Sequence, residues 1–300
     1  MKKKILVAGG TGFLGHHLLK KLGNLNYSLY SISTKKPKKD RKVKKVNYLI
    51  CDVYKKNKLK KILKYQYDYI VNFSGYVDHS DKKKTLQSHY YGCKNLIDFF
   101  KDKKIINFIQ IGSSMEYGTN KSPHKELFRC RPKGNYGISK YKATKYIKKI
   151  GSNIKFPYTV FRLYQVYGPN QSKNRLIPIV IDSCLKNKNF GCTVGSQIRD
   201  FLYVDDLCRL IIRCIQKKPK NKIYNVGAGN KIKVKFLINL IKEIVGFGNP
   251  IYGKIKMRKD EVKNNYPDIR KVKRDYLWKP EYDIKKGLEK TIKFYKKEMS

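Results

Sequence analysis

Near its start the chain runs Lys4-Ile5-Leu6-Val7-Ala8-Gly9-Gly10-Thr11-Gly12-Phe13-Leu14-Gly15, and an amphipathic pattern continues to Leu22. A short apolar run that breaks into glycine and then takes up helical spacing is a strand, a turn and a helix. The glycines fall as G-x-x-G-x-x-G at Gly9, Gly12 and Gly15. Such spacing suits a tight turn, a close backbone approach to a pyrophosphate, and N–H groups at a helix start aimed at negative charge. Gly9, Thr11, Gly12, Phe13, Leu14 and Gly15 are therefore candidate cofactor-binding residues.

Working outward, strands are expected at Lys4–Ala8, Ser28–Ser33, Val46–Ile50, Tyr69–Ser74, Ile105–Ile111 and Tyr158–Leu163. Between them lie helical patterns at Phe13–Leu22, Asn57–Leu63, Leu86–Phe100 and Tyr136–Ile150. Strand and helix in alternation predict an α/β fold, a Rossmann-type doubly wound parallel sheet that binds its ligand at the carboxyl ends of the strands. After Gly168-Pro169 the pattern loosens: helices near Leu176–Leu185, Val204–Ile215, Val234–Val245 and Ile284–Tyr295, and a strand at Lys222–Val226. The expected organisation is a cofactor domain over 1–168, with 200–226 returning to it, and a smaller C-terminal α/β substrate lobe over 169–300.

The chain has 300 residues, enough for a sizeable core. Its 69 Lys+Arg against 22 Asp+Glu give a net charge of +47, which by itself would suggest a nucleic-acid or membrane partner. Only 11 of those 69 are Arg, the basic residues are spread along the chain, and Lys, Asn, Ile and Tyr are all abundant, so the charge reads as a bias of composition. No specific nucleic-acid partner is expected. No apolar run approaches 18 residues, which excludes a membrane-spanning helix, and the apolar part of the N-terminus is too short for a signal peptide. Seven Cys without a C-x-x-C pair fit a reduced, cytoplasmic protein without a structural metal.

At the end of the second strand stands Ser33-Thr34-Lys35-Lys36, with no carboxylate to hold a ribose 2′-hydroxyl. Basic residues there favour NADP over NAD, with NAD still possible. Asp52, followed by Val53, is placed to meet the adenine or to cap the next helix. Further on come Gly112-Ser113-Ser114-Met115-Glu116-Tyr117-Gly118 and then Tyr136-Gly137-Ile138-Ser139-Lys140. Tyr136 and Lys140, four apart, share a helix face, so the ammonium can lower the phenol pKa and reach the cofactor ribose. With the hydroxyl of Ser113 they make a proton-transfer device.

With these motifs in this order, the chain resembles the extended short-chain dehydrogenase/reductases, in particular the NAD(P)-dependent epimerase/dehydratase family that acts on nucleotide sugars. The resemblance extends to Arg162-Leu163-Tyr164-Gln165-Val166-Tyr167-Gly168-Pro169, Arg199-Asp200-Phe201-Leu202-Tyr203-Val204-Asp205-Asp206, Tyr224-Asn225-Val226-Gly227 and Leu277-Trp278-Lys279-Pro280. It implies that Ser113 and Tyr136 act at the sugar C4 oxygen, that Lys140 holds the nicotinamide ribose, and that Ser74 and Gly75 also meet the cofactor. It further implies that Arg199 and Arg258 grip the nucleotide phosphates, that Ser114 meets the substrate, that Gln165 stands near the sugar diphosphate where the family usually has Asn, and that Arg175 and Leu176 belong to a loop packing on the nucleotide. The partner is then a nucleotide-diphosphate sugar, and family members often pair as homodimers.

Two departures narrow the chemistry. In the family's 4,6-dehydratases the catalytic hydroxyl is followed by Asp-Glu, but Ser113 is followed by Ser114-Met115. In its 3,5-epimerase/4-reductases a Cys and a His shuttle protons at carbon, where this chain has Met115 and Asn170. What remains is chemistry at C4 alone. The expectation is reduction of an NDP-4-keto-6-deoxyhexose; the alternatives are a 4-epimerase resembling UDP-glucose 4-epimerase and, more remotely, a non-catalytic cofactor- or anion-binding protein.

Overall fold

A computed structural model describes residues 2–78, 80–257 and 261–299. Six strands occur in order: β1 Lys4–Ala8, β2 Ser28–Ser33, β3 Val46–Ile50, β4 Tyr69–Asn72, β5 Asn107–Ser113 and β6 Tyr158–Leu163. With the strand Lys222–Val226 they form one seven-stranded sheet in the order Lys222–Val226, β6, β5, β4, β1, β2, β3. The pairs among β1–β6 are parallel. The order reverses between β1 and β4, so the strand ends there open onto the crevice where such sheets take their ligands. Ile5, Leu6, Val7 and Ala8 are wholly buried, as expected of a parallel strand covered on both faces.

The helices of this half are α1 Phe13–Leu22, α2 Lys56–Ile62, α3 Lys82–Leu86, α4 Gly92–Phe100 and α5 Gly134–Ile154. Leu96, Ile97 and Phe100 of α4 and Ala143 and Ile147 of α5 pack with Leu6, Ile70 and Phe108 in one core cluster.

Several boundaries differ from the sequence expectation: β4 ends at Asn72 rather than Ser74, α2 spans Lys56–Ile62 rather than Asn57–Leu63, and the last helix runs to Met299 rather than Tyr295. β5 runs through Gly112 and Ser113 rather than ending at Ile111. The glycine there is no turn: a Cβ on Gly112 would lie 2.5 Å from Glu116 Oε1, so the position makes room for a buried carboxylate. The single helix expected at Leu86–Phe100 is instead α3, a π-helical turn at Gln87–Tyr91, and α4. Apolar periodicity does not register the one-residue bulge. α5 begins at Gly134 and continues to Ile154, past the polar Gly151-Ser152-Asn153, until Lys155 turns left-handed at φ 52°.

The chain divides into two compact units, one of Met1–Asn120, Glu126–Leu163 and Cys208–Asn225, the other of Lys121–Lys125, Tyr164–Leu207 and Val226–Ser300. In the second, Gln165–Tyr167 pairs with Phe201–Tyr203, Ile198–Arg199 lies between Ile232–Lys233 and Asn264–Asn265, and Asn189–Cys192 pairs with Asn249–Tyr252. Helices Leu176–Leu185, Val234–Val245 and Ile284–Met299 pack together beside them. Asp206, opening the helix Val204–Gln216, accepts the N–H groups of Glu281 and Tyr282 at 3.0 and 3.1 Å, while its carbonyl takes Trp278 Nε1 at 3.1 Å.

Asp200 is the buried anchor of this unit. Its carboxylate accepts the backbone N–H groups of Ala228, Gly229 and Asn230 at 2.6–2.9 Å. Burial pushes its pKa up to about 6 against the opposing pull of those three donors. A carboxyl raised in the folded state binds its proton more tightly there than in the unfolded chain, so its contribution to stability is full at low pH and is lost as pH rises through about 6. Relative to Asp200→Asn, the wild type should lose on the order of 3 kcal/mol of unfolding free energy between pH 4 and 7. Urea titrations at several pH values measure it, and a difference that stays flat across that range contradicts the assignment.

Candidate active site

The glycine turn is shaped by backbone. Gly9 has φ +81°, and a Cβ there would lie 3.0 Å from Phe73 C and Ser74 N. A Cβ on Gly15 would lie 2.4 Å from Gly9 O and 2.6 Å from Gly10 Cα, so α1 crosses the turn at a distance only glycine permits. Gly12 is the N-cap of α1 and no side chain caps it. The first N–H groups of α1 are thus available to an anion. Thr11 completes the turn, Phe13 and Leu14 open α1, and the arrangement fits the pyrophosphate of a dinucleotide.

Ser33, at the end of β2, is buried and its Oγ accepts from Thr11 N at 3.3 Å. Lys35 and Lys36 are exposed. The basic residue that reaches the turn is one the sequence reading passed over: Arg41 Nη1 lies 3.4 Å from Thr11 O, and its own carbonyl takes His16 Nδ1 at 3.0 Å. Burial lowers the His16 pKa, opposed by that hydrogen bond. Arg41 sits in a Lys-rich loop where nothing local marks it from its neighbours. Asp52 Oδ1 accepts from Tyr54 N at 3.0 Å, a local turn rather than a cap on α2, whose N-cap is Lys55. Val53 is buried, and its carbonyl takes Asn95 Nδ2 at 3.1 Å.

The ends of β4 and β5 are joined by a buried polar chain. Ser74 N donates to Asn72 Oδ1 at 3.0 Å, Asn72 Nδ2 to Gln110 Oε1 at 2.8 Å, and Gln110 Nε2 to Ile111 O at 3.0 Å. Lys140 Nζ donates to the same Ile111 carbonyl at 2.9 Å. Cys93 Sγ donates to Gln110 Oε1 at 3.0 Å, and burial pushes that thiol up to about 12, leaving it a hydrogen-bonding filler and no nucleophile. Gly75 packs directly on His89, whose Cε1 would be 2.2 Å from a Cβ there.

Ser113 and Ser114 are buried at the end of β5. Ser113 Oγ accepts from Met115 N at 3.2 Å, and Ser113 N donates to Glu116 Oε1 at 2.9 Å, a reciprocal capping box. The other Glu116 oxygen takes Arg162 Nε at 2.9 Å; the two side chains are 0% and 3% exposed. Burial works against the Arg162 charge, and Glu116, with Tyr117 and Cys130, more than restores it, so the group stands above its ordinary value. The guanidinium lies 4.7 Å from the centroid of the Tyr117 ring, whose hydroxyl donates to Asn225 Oδ1 at 2.7 Å. Burial raises the Tyr117 pKa to about 12. Glu116 and Arg162 are a pair the sequence reading did not join; the signal was a lone Glu beside Gly112-Ser113 and an Arg in the next strand.

α5 presses on this turn: a Cβ on Gly137 would lie 2.7 Å from Met115 O. Tyr136, half-buried, precedes that glycine, and Lys140 Nζ is 5.8 Å from the centroid of its ring. The first unit thereby gathers Ser113, Tyr136 and Lys140 around the ends of β4 and β5. In the second unit, Arg199 is nine-tenths buried, paired with Glu261 and donating to the carbonyls of Ile198 at 2.8 Å and Lys263 at 3.2 Å. Gln165 is exposed and its N–H goes to Asp200 O at 3.1 Å. Arg175, exposed, is the N-cap residue of the helix that Leu176 opens. Arg258 lies outside the described residues. No helix among the described residues is long and apolar enough to cross a membrane, and none of their His, Cys, Asp and Glu form a cluster of three or more able to hold a metal.

A family model described as the NAD dependent epimerase/dehydratase family matches residues 5–227. The chain belongs to that family. It is accordingly an enzyme of the NAD-dependent, nucleotide-sugar class. A putative UDP-glucose 4-epimerase of Methanocaldococcus jannaschii is 29% identical over 309 residues, 97% of this chain and 98% of its own. A CDP-abequose synthase of Salmonella muenchen is 25% identical over 300 residues, 97% and 98% of the two chains. Among solved structures, UDP-glucose 4-epimerase of Thermotoga maritima with UDP-glucose shares the fold at TM-score 0.93, with 24% identity and coverage of 99% and 100%.

Removing one member of the buried pair tests the geometry of the turn. Glu116→Ala should cost about 3–5 kcal/mol by stranding the Arg162 charge, whereas Glu116→Leu combined with Arg162→Met should recover much of that loss. A double variant no more stable than Glu116→Ala in urea titration would contradict the pairing.

Proposed function

We propose that the protein is an NADPH-dependent reductase acting on the C4 keto group of a nucleotide-linked 4-keto-6-deoxyhexose. The observation that carries the restriction to C4 is the commitment of Glu116. It is the sole carboxylate in the Ser113–Gly118 turn, and it is wholly buried against Arg162 and Ser113 N. Removing water from a sugar takes an acid and a base beside the catalytic hydroxyl, and this turn offers neither. Two things support NADPH: the lack of a carboxylate at Ser33, and Arg41, a permanent cation beside the glycine turn suited to a 2′-phosphate. Lys35 and Lys36, exposed nearby, add longer-range attraction. The relative named for making CDP-abequose is in keeping with a synthetic rather than an interconverting role.

The bound nicotinamide supplies the hydride. Tyr136 gives its phenolic proton to the C4 oxygen, and Lys140, held by the Ile111 carbonyl, stabilises the phenolate left behind. Ser113 donates a second hydrogen bond to the same oxygen as charge develops on it. In this reading the first unit is the cofactor domain and the second holds the nucleotide through Gln165, Arg175, Leu176, Arg199 and Arg258.

A 4-epimerase is the second reading, favoured by the archaeal relative and by the fold shared with the Thermotoga enzyme. An epimerase retains its cofactor and shows no net change at the nicotinamide band. With a nucleotide-linked 4-keto-6-deoxyhexose, the proposed reductase consumes NADPH one for one with sugar and leaves UDP-glucose and UDP-galactose unchanged. Cofactor-neutral interconversion of two C4 epimers would replace the first reading by the second.

Tyr136→Phe keeps the ring and removes the proton, so turnover should fall about 10²–10⁴-fold with substrate affinity nearly unchanged. Near-normal turnover, measured as NADPH consumption, would remove Tyr136 from its role.

A further inference from the structure

We propose that His89 is a positioning residue that couples the loop at the end of β4 to the catalytic tyrosine; the inference rests on the reading of Tyr136 as proton donor. His89 sits at the centre of the π-helical turn Gln87–Tyr91. A π-turn interrupts regular helix bonding and recurs where a functional site needs a side chain displaced from the helical register. Here two consecutive side chains meet the backbone N–H and C=O of one residue, Tyr76. Ser88 Oγ accepts from Tyr76 N at 2.9 Å, and His89 Nε2 contacts Tyr76 O at 3.0 Å. A carbonyl only accepts, so Nε2 carries the hydrogen.

The other side of that imidazole meets the reaction machinery. Its ring lies edge to face with Tyr136, centroids 5.0 Å apart and planes at 80°, an arrangement the ring quadrupoles favour. Gly75 is what admits it, since any Cβ there would collide with the imidazole. The same stretch of chain, at Phe73 and Ser74, lies against Gly9 of the glycine turn. His89 therefore sits between Gly75–Tyr76, the continuation of the segment that lies against the glycine turn, and the ring of Tyr136. One face of its role fixes Tyr76, and through it the loop that would border a bound dinucleotide; the other fixes the phenol's direction.

These two contacts can be separated by substitution. His89→Phe keeps a ring against Tyr136 but removes the donor to Tyr76 O, so the dissociation constant for NADPH, measured by calorimetry without sugar, should rise about three- to tenfold, while kcat falls less than in the variant that lacks the ring. His89→Gln keeps a donor and removes the ring, so kcat should fall roughly fivefold or more with the NADPH dissociation constant nearly unchanged. Ser88→Ala, which leaves the imidazole in place, should weaken NADPH as His89→Phe does, and it answers the question should either His89 variant fail to fold. Equal effects of the two His89 variants on both constants, or a Ser88→Ala protein that binds NADPH like the wild type, would overturn the coupling. Tyr136→Phe run alongside separates the two claims. If it turns over normally, the reading of Tyr136 fails and the bracing falls with it; if it is inactive while His89→Gln retains full kcat, the His89 inference alone is wrong.

Discussion

A carboxylate and a guanidinium buried together set what the end of β5 can do. Glu116 and Arg162 are almost fully withdrawn from solvent, and neither charge is tolerable there without the other. Their meeting requires Gly112, whose missing side chain leaves room for the carboxylate, and it aligns β6 with β5 where Gly112 faces Arg162. The free oxygen of Glu116 then holds Ser113 N, so the serine sits at a fixed place on a rigid strand end rather than on a loose loop. A site built this way is precise, and its only local acid is already spoken for.

The neighbouring strand ends follow the same logic. Asn72 and Gln110 bridge β4 to β5, and the Ile111 carbonyl receives both Gln110 and Lys140. Each buried polar atom in that chain finds a partner, which is the condition under which such networks stiffen a structure instead of weakening it. Lys140 is thus anchored from the sheet while its helix carries Tyr136 one turn away. At the end of β1 the glycine turn is held by close backbone contact, through Gly9 against Phe73–Ser74 and Gly15 against Gly9 and Gly10, with Ser33 Oγ and Arg41 Nη1 reaching Thr11.

Much of this was legible in the sequence, for identifiable reasons. Strands show as short runs rich in apolar and β-branched residues, and β1, β2, β3 and β6 stand where those runs lie. Gly9 and Gly15 announce their turn because a side chain at either would be strained or collide with backbone. Tyr136 and Lys140 were visible as a pair four residues apart. What stayed hidden depends on contacts between residues distant in the chain. Glu116 and Arg162 are 46 positions apart, and nothing in either segment names the other. The π-turn that carries His89 alters helical register without altering the apolar pattern around it. Arg41 looks like any basic residue in a Lys-rich loop until the fold brings it to Thr11.

The central claim is that the Ser113 turn, with its one carboxylate committed to Arg162, supports chemistry at C4 and proton removal from no neighbouring carbon. Turnover in deuterated water tests this directly, because dehydration or epimerisation at C3 or C5 must exchange a carbon-bound hydrogen with solvent. The account predicts that product formed from a nucleotide-linked 4-keto-6-deoxyhexose and NADPH carries no deuterium at C3 or C5 beyond that acquired in buffer alone, as read by NMR. Enzyme-dependent deuterium at either carbon would contradict it.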